Sequence, residues 1–143
     1  MDFNIPSADT LTMSEAGTEM HVRDALGRPI LLDGKQDHPF CITMMGPDSV
    51  AYRRGMRDQV RKRVSRPAND PATGLPIDYS ADDERESIET MVACTISWRN
   101  CPGVKGTVPF SKEAARALYT GFPVIRDQVD VWMATRANFI KAS

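Results

Sequence analysis

Residues 39–64, PFCITMMGPDSVAYRRGMRDQVRKRV, change their apolar period at one point. Before Gly46 the pattern alternates: Phe40, Ile42 and Met44 fall on one face, Cys41, Thr43 and Met45 on the other, as in a strand. After Gly46-Pro47-Asp48 the spacing becomes four, with Tyr52, Met56, Val60 and Val64 forming one stripe of a helix that runs to about Ser65. Pro47 suits such a start, because the N–H it lacks has no partner in a first helical turn. A strand feeding a helix through a tight break predicts a mixed α+β fold.

Upstream, GTEMHVRDALGRPILLDG reads as two short strands around a turn. Met20 and Val22 alternate with His21 and Arg23, and Gly27 in DALGR is suited to positive φ. Pro29 confines the second strand to an edge. With residues 39–46 these give a small antiparallel sheet of about three strands over 18–46, while polar residues 1–17, broken by Pro6 and Gly17, are expected to form a flexible arm.

Downstream of the basic helix (47–66), Pro67, Pro71, Gly74 and Pro76 predict a connector over 67–79. A helical part, 80–143, follows in the same domain (18–143). Ser80-Ala81-Asp82-Asp83 resembles a capping box, and that helix is expected to turn Ile88, Met91, Val92, Thr95 and Trp98 inward before stopping ahead of Cys101-Pro102-Gly103. Ser111 is a good N-cap for KEAARALY, with Ala114 and Leu118, joined by Ala115 and Tyr119, as the inner face. Gly121 ends it. Pro123 opens a last helix with Ile125, Val129, Trp132, Arg136, Phe139 and Ile140 on one side. The fold class is therefore α+β: a small N-terminal antiparallel sheet, a basic helix and a C-terminal three-helix region.

The whole chain fits one soluble domain: 143 residues, 41% hydrophobic, 26% charged, with no run near the ~20 apolar residues a bilayer needs. Three cysteines, Cys41, Cys94 and Cys101, are too few for a disulfide framework and fit a reducing cytosol. The net charge of −1 conceals two blocks. Between 48 and 66, Arg53, Arg54, Arg57, Arg61, Lys62, Arg63 and Arg66 face only Asp48 and Asp58; between 78 and 89, Asp78, Asp82, Asp83, Glu84, Glu86 and Glu89 face only Arg85. The basic block has three readings: pairing with the acidic helix start or plain solvation, docking of an acidic partner helix, and phosphate binding. Nucleic acid is the weakest of the three, since Tyr52 is the one ring on that helix.

Motifs for chemistry are scarce. Cys94-x6-Cys101 lacks zinc-knuckle spacing, and His21 and His38 lie far off in sequence. No G-x-G-x-x-G, P-loop or G-x-S-x-G occurs, and the acids at 82–89 lack the alternation of a calcium loop. Neither enzymatic activity nor a metal or cofactor is expected. Trp98 and Trp132 are read as core rings before interface anchors.

The C-terminal half carries a pattern. Cys94, Thr95 and Trp98 close an apolar segment, and a Gly106 turn leads to Pro109-Phe110-Ser111. Ala115, Arg116, Leu118 and Tyr119 follow on a helix, then Ile125, Gln128, Val129 and Asp130, and last Arg136 and Phe139. In this order and spacing the chain resembles the tail assembly chaperones of long-tailed (siphovirus-type) bacteriophages and prophages. The likeness is strong over 91–139 and looser before it, where short strands lead through Gly46, Asp48 and Ser49 to the arginine-rich helix; RNCPGVKG after Trp98 has no counterpart in the pattern. The resemblance implies a non-enzymatic protein of the host bacterial cytoplasm that holds the tape measure protein while the tail tube assembles, and then leaves. It also implies self-association, contact with the tail tube protein, and a longer frameshift product of which a chain ending at Lys141-Ala142-Ser143 is the short form. Within it, Phe122, Val124, Val131 and Met133 are the expected docking face, with Arg53, Arg54, Arg57 and Arg61 as a second candidate contact. The rival expectations are a nucleic-acid-binding protein using Arg53, Arg54, Arg57, Arg61 and Arg63, and a permanent structural protein of the head–tail joint.

Overall fold

The computed structural model describes residues 2–140; residue 1 of the expected arm and residues 141–143 of the helical part lie outside the described residues. The architecture is mixed α+β, a three-stranded antiparallel sheet followed by helices. Strands β1 (Thr18–His21) and β2 (Cys41–Met44) pair with Met20 opposite Ile42. The turn between them at residues 24–28 forms as read, with Gly27 at φ 79°.

The third strand does not come from residues 28–32. Those residues make only isolated bridges, Arg23 with Pro29 and Leu31 with Pro39, because two prolines remove N–H groups a ladder would need. Instead β3 (Thr95–Arg99) lies on the other side of β2, so the spatial order is β1-β2-β3. This stretch was expected to be helical: Thr95 and Trp98 continue the apolar stripe of the preceding helix, α3 (Ser80–Cys94), but the chain turns extended at Thr95. A bulge there pairs Thr43 with Ser97 and Met44 with Thr95, leaving Ile96 unpaired and 37% exposed while Thr95 is fully buried.

The expected arm is also corrected. Helix α1 (Leu11–Ala16) buries Ser14 completely, and the Ser14 carbonyl accepts from Gly46 N–H at 2.9 Å. The Glu15 carboxylate accepts from Val50 N–H at 2.6 Å, capping the first turn of α2 (Val50–Ser65) together with the Ser49 hydroxyl, which accepts from Tyr52 N–H. Six residues are too short to hold a helix by propensity, so these tertiary bonds hold it.

Helix α3 starts one residue earlier in its cap than expected. Tyr79, not Ser80, is the N-cap, and the Asp78 carboxylate accepts from Ser80 N–H at 2.9 Å. After β3, a two-residue hairpin pair, β4 (Pro102–Gly103) and β5 (Gly106–Thr107), leads to α4 (Lys112–Gly121) and α5 (Pro123–Ala134), ending in a 3-10 turn, Arg136–Phe139. The Ser111 hydroxyl caps α4 as read, accepting from Ala114 N–H at 3.0 Å. Its deepest residues are Ala115 and Tyr119, with Ala114 and Leu118 only half-buried.

The core lies between the sheet and helices α3, α4 and α5. Val22, Phe40, Ile42, Met44, Tyr119, Val129, Met133 and Phe139 are fully buried or nearly so. All three cysteines are buried and unpaired. No helix among the described residues is long and apolar enough to cross a membrane.

Candidate docking surfaces

Helix α2 is set on the domain inside out. Its inward face is Ala51 and Gly55, both half-buried, and Gln59, which is buried, whereas Met56, Val60 and Val64 are 40%, 56% and 80% exposed. Of the stripe that looked like a core-facing seam, only Tyr52 is half-buried against the core. What α2 offers α3 is polar. The Gln59 amide donates to the Thr90 hydroxyl at 2.8 Å, both residues being buried. Lys62 reaches Glu86 at 3.7 Å, Arg63 reaches Asp83 at 3.6 Å, and Arg66 grips Asp83 through two bonds of 2.8 and 3.2 Å. The Arg66 guanidinium holds the Asp83 carboxyl below its ordinary value and stacks over the Tyr79 ring at 3.9 Å.

The basic block thus divides in two. Its C-terminal end pairs with the acidic start of α3. Its outer arginines do not: Arg61 meets only Asp58 of its own helix, at 3.8 Å, and Arg53, Arg54 and Arg57 form no ion pair among the described residues. Glycine at position 55 makes the close approach possible, since a Cβ there would sit 2.6 Å from the Thr90 hydroxyl oxygen.

The corner between α4 and α5 is the second exposed apolar surface. Phe122, Val124 and Val131 are 57%, 44% and 66% exposed, as the sequence predicts. Met133 is not part of it. It lies four residues after Val129 and eight after Ile125, on the buried ridge, and is 1% exposed. Beside Phe122 opens a cavity of about 410 Å³, lined by Phe40, Trp98, Val108, Leu118, Phe122 and Ile125. Trp98 packs edge-on against Phe40 and Phe110, and its indole N–H donates to the Val108 carbonyl at 2.9 Å.

Thr95, Arg116, Tyr119, Gln128 and Arg136, among the residues that carry the resemblance, are bonded inside the fold, and so is Trp132 outside that pattern. The Thr95 hydroxyl bonds the Met91 carbonyl and the Tyr119 hydroxyl, both at 2.7 Å. Gln128 accepts from Arg23 N–H at 2.8 Å and donates to the Arg23 carbonyl at 2.7 Å, closing the chain just past β1 as a strand would. The Trp132 indole donates to the Thr18 hydroxyl at 3.1 Å. Arg136 pairs with Asp48 at 3.0 Å, and Asp48 also accepts from Thr10, tying α1 and the start of α2 to the last turn. Arg116 pairs with Glu89 at 2.5 Å. Lys112 gave no signal in the sequence, yet its ammonium donates to the Val92 and Thr95 carbonyls at 2.8 and 2.7 Å and so caps the end of α3.

Glu19, His21 and Cys41 converge on the outer sheet face, their ligand atoms within 4.8 Å of one another. The Glu19 carboxylate is already held by Arg99 through bonds of 2.9 and 2.8 Å, which lower its pKa and place a fixed positive charge beside the trio. A cross-strand ion pair covering Cys41 accounts for this cluster. Comparison with family models, characterised proteins and solved structures finds no match for the chain.

Proposed function

We propose that this chain is a tail assembly chaperone of a long-tailed bacteriophage or prophage, a non-enzymatic protein of the host bacterial cytoplasm that holds the tape measure protein. One observation carries the binding reading: the polar ridge of α2 is spent inside the domain, leaving Met56, Val60 and Val64 facing solvent. Burying these residues toward α3 would have been the default for an amphipathic helix. An apolar ridge held outward by a polar interface is surface kept for another chain. The exposed corner of Phe122, Val124 and Val131, with an apolar cavity beside Phe122, offers a second contact.

The tape measure assignment rests on the residue pattern of the C-terminal half. A long helical client with one apolar side needs covering until the tube encloses it, and helix-on-helix packing supplies that cover. Many copies along one client gain from multivalency, so no single contact has to be tight. Self-association, a longer frameshift product and contact with the tail tube protein belong to the same proposal. Co-expression with segments of the tape measure protein from the same genome tests it. A shared peak on size exclusion, with the chaperone absent from finished particles by mass spectrometry, is the expected result. Separate peaks for every segment, or the chain as a stoichiometric virion component, would remove the assignment.

A further inference from the structure

The surface of α2 specifies more than an apolar partner. Met56, Val60 and Val64 form one ridge at four-residue spacing, and Arg53, Arg57 and Arg61 form the next ridge, roughly 60° further round the helix and away from α3. On the other side of the apolar ridge stand Arg63 and Gln59, taken by Asp83 and Thr90. The apolar ridge therefore has one flank consumed by the domain and one flank lined with arginines that form no ion pair with an acid on another element among the described residues. Arg53 acts only at longer range on Asp48, which Arg136 already holds.

We infer that α2 docks an acidic amphipathic helix. The partner lays its apolar ridge on Met56, Val60 and Val64, and presents Asp or Glu at four-residue spacing along a single flank to Arg53, Arg57 and Arg61. The pairing follows heptad logic, in which the seam supplies affinity and the flanking charges fix partner and register. Sixteen residues give α2 a length of about 24 Å. It matches a partner segment of roughly four turns.

Charge and chemistry select this occupant over two others. A second copy packed antiparallel across a twofold axis would bring one arginine ridge against another, and a parallel copy would set that ridge against the flank that holds Arg63, so like charges oppose both arrangements. Nucleic acid would satisfy the arginines but press three valines (Val50 among them, 50% exposed) and a methionine against a phosphate backbone. Tyr52, the one ring available for stacking, is half-buried toward the core.

The inference rests on the chaperone reading only for the existence of a helical client, and one set of titrations separates the two. The probe is an 18-residue helical peptide with a leucine ridge and a glutamate flank, followed by anisotropy against the full chain; its twin carries lysine in place of glutamate. The acidic peptide binds at least about tenfold tighter than the twin, and Val60→Glu with Val64→Glu weakens it at least about tenfold. Arg53→Glu with Arg57→Glu reverses the preference, so that the lysine twin binds the tighter; unchanged melting curves show that both double variants stay folded. Equal affinity for the two peptides, or a preference the arginine reversal leaves unmoved, overturns the proposal. So does a 20-base-pair DNA duplex that displaces the acidic peptide, or a dimer of the chain that Val60→Glu abolishes and the peptide cannot enter. A tape measure segment that binds both double variants as it binds the parent sinks this inference and leaves the chaperone standing. An acidic peptide bound through α2 with no tape measure segment bound does the opposite.

Discussion

Thr95 stands where α3 becomes β3, and its burial decides the bulge. Swapping the inward residue from Ile96 to Thr95 brings a hydroxyl, not a hydrocarbon, beside Tyr119, and that hydroxyl finds two partners at 2.7 Å. The pair is legible only afterwards. In the sequence, Thr95 and Trp98 extend a perfect helical spacing from Ile88, and nothing local shows that β2 needs a partner strand. Tyr119→Phe keeps the ring and removes the bond, so urea unfolding is expected to show a loss of about 1 kcal/mol. Tyr119→Ala empties a fully buried site and is expected to cost about 3–5 kcal/mol. Equal losses for the two variants would mean that the hydroxyl, not the ring, carries the site.

At the scale of elements, most helices were visible and one was visible with the wrong face. The caps and breaks at Ser111, Gly121 and Pro123 locate α4 and α5, because each uses chemistry confined to a few residues. Helix α2 instead starts at Val50 behind a Ser49 cap and not at Pro47, which lies in the turn before it. The direction of α2 was not recoverable from periodicity. Apolar spacing says which residues share a ridge, and here the inward ridge is Ala51, Gly55 and Gln59, chosen by close approach and a buried amide. The same limit explains Met133, which shares a surface label with Val131 in the sequence but lies on the opposite ridge of α5. The orientation of α2 has a direct stability test. Gly55→Ala forces a methyl into the Thr90 side chain and is expected to cost about 1–3 kcal/mol. Val60→Glu and Val64→Glu are expected to stay within about 0.5 kcal/mol of the parent. Thermal melts showing the reverse order would place the valines inside.

Across the whole molecule, arginine–carboxylate pairs join parts far apart in the chain. Arg136 with Asp48, Arg66 with Asp83, Arg116 with Glu89 and Arg99 with Glu19 each hold their acid below its ordinary value, 3.8 for Asp and 4.5 for Glu. A depressed folded pKa contributes stability that is complete above the ordinary value and disappears as pH falls through the folded one. Asp24 and Asp78, held by hydrogen bonds from Arg28 and Ser80, are lowered as well, and Asp130, raised chiefly by burial, works in the opposite sense, one group against six. The melting temperature is therefore expected to be flat from about pH 8 to 5.5 and to fall below about pH 4. Asp48→Asn should flatten part of that acid slope; stability that rises on acidification would contradict the assignment. The four pairs also show why the candidate site was only half legible. The two charge blocks were plain in the sequence, but which arginines the fold consumes depends on the placement of α3 beside α2.

The central claim is that the outward ridge of α2 holds a helical client. Hydrogen–deuterium exchange of the full chain, with and without a bound tape measure segment, reads this surface directly. Slower exchange across residues 50–64, extending to residues 122–131 if the second corner joins the contact, is the expected result. A bound segment that leaves 50–64 unchanged and protects the outer sheet face around Glu19, Thr43 and Ser97 would contradict it.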